Sequence, residues 1–149
     1  MNLNQLVFVI ILAGQMVDGH VHKAHHGGVI AHFDRKHVEV VVGEGLVTVW
    51  LLNEKERVIP PKGIRGQVRL VLEKSVDGGT KTQTVVLQKV ADHLEASADV
   101  QEADTVTGTL EFRLKGRVTK AAFRWTPLDA RKRLDDSLDQ EGLYIGPSQ

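Results

Sequence analysis

The chain has 149 residues and balances 19 Lys plus Arg against 19 Asp plus Glu, for a formal charge of zero. That length supports one domain with a core of its own, and the charge balance lacks the basic excess that draws nucleic acid or anionic lipid by counterion release. Aromatic residues are only 5% and cysteine is absent, which argues against base-stacking platforms and excludes disulfides, thiolate zinc sites and cysteine nucleophiles. Methionine stands only at positions 1 and 16, so imidazole and carboxylate are the strong metal ligands left.

Residues 6–14, Leu-Val-Phe-Val-Ile-Ile-Leu-Ala-Gly, are an unbroken apolar run. The run is well short of the roughly 20 residues of a membrane-spanning helix and has the length of a signal-peptide h-region. Val17 and Gly19 suit the −3 and −1 positions of a cleavage site before His20, although Met1 to Gln5 carries no Lys or Arg. The expectation is a cleaved signal peptide over 1–19, no stable membrane span, and export, with the periplasm as destination. The bland readings are a buried N-terminal strand or a true start at Met16.

A His-rich leader follows, His20-Val21-His22-Lys23-Ala24-His25-His26-Gly27-Gly28, with four of the seven histidines. From Val29 the pattern is β. Val29 to Asp34 is a short strand. In the next, Val38, Val40 and Val42 alternate with His37 and Glu39, and Gly43-Glu44-Gly45 turns the chain into Leu46 to Asn53. Residues 53–66 contain Pro60-Pro61 and predict a loop, since proline cannot donate to a sheet ladder. Further strands are predicted over 67–73, 83–90, 93–98, 109–115 and 118–125, with turns at Asp77-Gly78-Gly79 and Gly116. This spacing predicts an all-β domain over 29–126, an antiparallel β-sandwich or small barrel of 7–8 short strands. Over 127–149 the pattern changes. Thr126 as N-cap, Pro127 at the first helical position, Leu128, Leu134 and Leu138 along one stripe, and Gly142 as a stop predict a short C-terminal helix and tail.

The leader carries the most suggestive chemistry. Neutral imidazole is a common ligand of Cu(II) and Zn(II). Cleavage before His20 would also place a free amine two residues ahead of His22, a square-planar arrangement suited to Cu(II) or Ni(II). His25 and His26 precede a Gly-Gly pair that lets the backbone bend. His37 and Glu39 share a strand face and could complete a site begun by His25 and His26; the plain alternative is a solvated strand face. His32 cannot be assigned a face from so short a strand, and His93, beside Glu95 and Ser97, reads as a surface histidine. The candidate metal ligands are therefore His20, His22, His25, His26, His37 and Glu39. No Gly-x-Ser-x-Gly, phosphate-cradling glycine loop, His-Glu-x-x-His or isolated carboxylate pair is present, so no catalytic or organic-cofactor residues are predicted and the chain reads as a non-enzyme.

The order His26-Gly27-Gly28, short strand, polar turn, His37-x-Glu39, glycine hairpin and Trp50-bearing strand resembles small exported proteins of heavy-metal resistance loci. It is also similar to the N-terminal segment of periplasmic adaptor subunits of heavy-metal efflux pumps. The resemblance spans residues 20 to 125 or so and implies handling of a divalent metal, with His22, His25, His26, His37 and Glu39 as the positions carried over. Two departures are a leader with fewer histidines, which weighs against high-capacity sequestration, and the C-terminal helix, a candidate docking element. The expected function is a periplasmic protein binding Cu(II) or Zn(II), which it buffers or delivers to an envelope efflux component. The alternative is a non-catalytic structural or adaptor β-module that binds another envelope protein.

Overall fold

The computed structural model describes residues 24–33 and 35–127. The signal peptide, His20, His22 and the C-terminal helix beyond Pro127 lie outside these residues. Nine strands are present among them: β1 (Val29–Phe33), β2 (Lys36–Gly43), β3 (Leu46–Leu52), β4 (Val58–Ile59), β5 (Arg65–Glu73), β6 (Thr80–Val90), β7 (His93–Ser97), β8 (Thr105–Leu114) and β9 (Arg117–Trp125).

The strands form where β-branched and large apolar residues recur at every second position. Val38, Val40 and Val42 of β2, Val47, Val49 and Leu51 of β3, and Ala121, Phe123 and Trp125 of β9 are all buried on the inner face. Tight turns then fix which residues meet. Glu44-Gly45, with Gly45 at φ +72°, joins β2 to β3 so that Gly43 pairs with Leu46 and Glu39 with Trp50. Lys115 and Gly116 both have positive φ, +49° and +79°, as a type I′ hairpin requires, and they close β8 onto β9.

All pairings are antiparallel, in the order β1-β2-β3-β7-β6-β5-β8-β9, with β4 added to β3. β6 serves two neighbours in succession. Thr80 to Leu87 pairs with β5, while Gln88 to Val90 pairs with β7, so the sheet bends around within one strand. β1 and β9, the two ends of the path, lie against each other, and the sheet nearly closes into a barrel. Its interior holds Leu51, Leu70, Leu72, Leu94 and Leu110, each contributing about 1.5–3 kcal/mol by leaving water.

The architecture is thus the small barrel rather than the sandwich. The additional strand β4, Val58–Ile59, sits inside the segment predicted as loop and stops at Pro60-Pro61. Strands β6 and β8 begin earlier than predicted, at Thr80 and Thr105. The first residues of β6, Thr80 to Thr82, are exposed on both faces, so no apolar alternation marks them. Among the described residues no helix is long and apolar enough to cross a membrane.

One buried carboxylate ties two turns of the barrel together. Asp104, 0% exposed, accepts hydrogen bonds from the Gln101 N–H (2.9 Å), the Ser75 N–H (3.3 Å) and Lys74 Nζ (2.9 Å). Lys74 also donates to the Asp99 carbonyl at 2.8 Å. Burial on its own raises the Asp104 pKa. The hydrogen bonds from Gln101, Lys74 and Ser75, with the Lys74 charge, outweigh it and hold the carboxyl below its ordinary value. Lys74 is correspondingly raised, first by its bond to Asp104.

Candidate functional site

Glu39 belongs to the outward-facing set of β2, between the inward Val38 and Val40, yet it is 0% exposed. Its cover is the segment His25 to Gly28, which crosses over the outer wall of the barrel just before β1. Oε1 accepts from the N–H groups of His26 (2.6 Å) and Gly28 (3.0 Å). Oε2 accepts from the His25 N–H (3.0 Å) and lies 2.9 Å from His26 Nδ1. An ionised carboxylate has about four acceptor positions, and here four N–H groups fill them. Three converging backbone amides form a concave anion nest, with Glu39 as its resident anion.

The glycine pair makes that nest possible. Gly27 takes φ +74°, in the left-handed region that side chains resist. At Gly28 a Cβ would sit 2.6 Å from the Val40 carbonyl oxygen and 2.7 Å from Glu39 Cγ, so only glycine lets the backbone come this close. Gly28→Ala should therefore destabilise by about 1–3 kcal/mol, because the obstructing atom is strand backbone that cannot step aside. Gly27→Ala meets nothing within 4 Å and should cost only the conformational strain of about 1–2 kcal/mol. Urea titration of both variants checks this, and a Gly28→Ala protein with an unchanged midpoint would refute the close-packed turn.

His26 is fixed by contacts on two sides. Its ring stacks on Trp50 with centroids 3.8 Å apart and planes within 3°, while Nδ1 faces Glu39. An ionised carboxylate only accepts, so Nδ1 carries the proton and, in the neutral ring, Nε2 keeps its lone pair. The His26 side chain remains 34% exposed. Trp50 also meets the His93 ring at 5.4 Å, tilted by 43°. His93 lies between Asp92 (Nδ1, 3.1 Å) and Glu95 (Nε2, 3.2 Å), and its hydrogen bond is the main cause holding the Asp92 carboxyl below its ordinary range.

The predicted ligands are brought together only in part. His25, His26 and Glu39 form one assembly, in which Glu39 is engaged with N–H groups and His25 contributes its amide while its side chain is exposed. His37 stands two residues before Glu39 on β2 but turns its ring to His32 across the strand pair, ring edge to ring face at 4.7 Å. His20 and His22 lie outside the described residues. Among the described residues no three His, Asp or Glu side chains are grouped as a metal would need.

Trp50 and His93 are the members of this site that sequence reasoning did not pick out. The signal for Trp50 was available, because the two-residue turn at Glu44-Gly45 counts back to place it opposite Glu39. No comparable signal existed for His93, whose strand reaches β3 through a non-local pairing, Leu46 to Val49 with Leu94 to Ser97.

Fold and site together define a small, nearly closed antiparallel β-barrel that carries a glutamate-held, tryptophan-stacked histidine on its outer wall. Compared with models of protein families, with curated proteins and with solved structures, the chain finds no match.

Proposed function

We propose that this is an exported, non-catalytic protein of the periplasm that binds a divalent transition metal, Cu(II) or Zn(II), and buffers it or delivers it to an envelope efflux component. The observation that supports this reading is the Glu39–His26 pair. A carboxylate on Nδ1 is the usual device by which proteins fix the tautomer of a metal-binding imidazole and raise its basicity, leaving Nε2 to the metal. Trp50 holds the same ring in orientation. In this reading Glu39 positions the ligand rather than coordinating. His26 and His25 contribute imidazoles, His20 and His22 just upstream complete the set, and His37 with His32 is a separate imidazole pair on the neighbouring strands.

The test is native mass spectrometry and calorimetry with Cu(II) and Zn(II), on the natural protein and on a variant with His20, His22, His25 and His26 all changed to alanine. One equivalent of metal should bind the natural protein, and binding should be lost in a variant that keeps its fold. Because ligation requires neutral imidazole, affinity should fall as the pH drops from about 7.5 to about 5.5. Affinity that is flat across that interval, or untouched by removing all four histidines, would sink the proposal.

A further inference from the structure

At one end of the barrel the inward-facing alternation changes chemistry. On β2 the inner row runs Lys36, Val38, Val40, Val42, and on β9 it runs Arg117, Thr119, Ala121, Phe123, Trp125. Two positions that continue the apolar rows are cations. Lys36 and Arg117 together border a cavity of about 130 Å³ whose other walls include Leu51, Ile59, Ile64 and Phe112. The cavity is a small apolar recess at the mouth of the barrel, with positive charge at its rim.

The same two side chains border a wider cleft outside the recess, lined also by Arg35, Lys55 and Arg57. Its only acidic lining residue among those described is Glu54. Five cations from three separate turns therefore converge on one end of a chain whose net charge is zero. Among the described residues Arg35, Lys36, Lys55 and Arg57 form no ion pair with a carboxylate. The loop bearing two of them is braced. Asn53 Oδ1 accepts from the N–H groups of Lys55 (2.8 Å) and Arg57 (3.0 Å), and the Asn53 N–H donates to the Arg57 carbonyl at 3.0 Å.

We propose that this end of the barrel binds a small amphiphilic anion, with its hydrocarbon tail in the recess and its anionic head among Lys36, Arg117 and the cations of the cleft. Barrel mouths are common ligand sites, and pockets of this kind combine apolar walls with a few convergent polar groups. The size sets the tail. An apolar protein cavity of about 150 Å³ holds a benzene ring, so this recess suits a chain of about four to six carbons. The charge sets the head, since a phosphate monoester with two negative charges matches several convergent cations better than a single carboxylate does. The site is independent of the histidine assembly, and metal-binding results leave it untouched.

The test is calorimetric titration of the protein with n-hexyl phosphate, inorganic phosphate, hexanoate and n-hexanol. Hexyl phosphate should bind in a 1:1 ratio and at least about tenfold more tightly than either inorganic phosphate or hexanol, because both halves of the ligand contribute. Raising salt from about 50 to about 300 mM should weaken it. Lys36→Gln combined with Arg117→Gln should cost at least about tenfold, and Ile64→Trp should remove the advantage of hexyl phosphate over inorganic phosphate by filling the recess. Amide chemical shifts of the natural protein serve if a variant fails to fold: on titration with hexyl phosphate they should move at Lys36, Ile59, Ile64 and Arg117. Equal binding of inorganic phosphate and hexyl phosphate, equal binding of hexanol, no binding of hexyl phosphate at millimolar concentration, or shifts confined to other parts of the barrel would each overturn the proposal. Preference for hexanoate over hexyl phosphate would overturn the choice of head group.

Discussion

Glu39→Ala is expected to destabilise the protein by about 3–5 kcal/mol, the scale found when one partner of a buried charged network is removed. The carboxylate is 0% exposed and is the acceptor for the amides of His25, His26 and Gly28 and for His26 Nδ1. Truncation leaves several donors facing a void, and each buried unsatisfied group costs about 1–3 kcal/mol unless the segment lifts away to meet water. Lifting relieves that penalty but uncovers the outer wall and frees His26 from Trp50, so stability should fall and, under the proposed function, metal affinity should fall with it. Loss of a carboxylate that orients a ligand histidine typically weakens metal binding by about 10–100-fold. Glu39→Gln should sit between the two proteins in stability, because the amide keeps one acceptor oxygen but turns an NH₂ group toward N–H donors. Urea midpoints measured at constant m-value give the stability, and competition with a chromophoric chelator gives the affinity. A Glu39→Ala protein within about 0.5 kcal/mol of the natural one would show that the covering segment contributes nothing.

Asp104→Asn is expected to cost about 2–3 kcal/mol at neutral pH and to flatten the acid limb of the stability curve. Its carboxylate receives two backbone N–H bonds and the Lys74 ammonium, and hydrogen bonds to charged groups are worth about 1.5–3 kcal/mol. The sign of the pH effect follows from the lowered folded-state pKa. The unfolded chain takes up its proton first, near the ordinary aspartate value of 3.8. Stability from this group is therefore complete above that pH and is lost as pH falls through the lower folded value. Asp99, lowered chiefly by its hydrogen bond from Lys81, acts in the same direction but is exposed and should add little. Urea denaturation of the natural protein and of Asp104→Asn between about pH 7 and pH 2.5 should give two curves that are parallel near neutrality and converge in acid. Curves that stay parallel down to the lowest pH would refute the assignment.

The amino-acid sequence by itself determined most of the strands, the inward faces of the longer ones and the local turns, but not the short strand β4 or the early starts of β6 and β8. Period-two alternation of valine and leucine states which side chains enter the core, and Glu44-Gly45 sets a register that puts Glu39 across from Trp50. Gly27-Gly28 was legible as a place where the backbone bends. Only the tertiary structure decided what that bend accomplishes. Alternation separates inward from outward positions but cannot report that an outward residue is covered by a segment arriving from elsewhere. By pattern Glu39 is a solvated strand residue; in the fold it is the anion on which His25, His26 and Gly28 close. His93 reaches Trp50 only through the pairing of β3 with β7, and Lys36 meets Arg117 only because the sheet curls until β1 lies against β9. Both depend on contacts between residues far apart in the chain, which local periodicity does not encode.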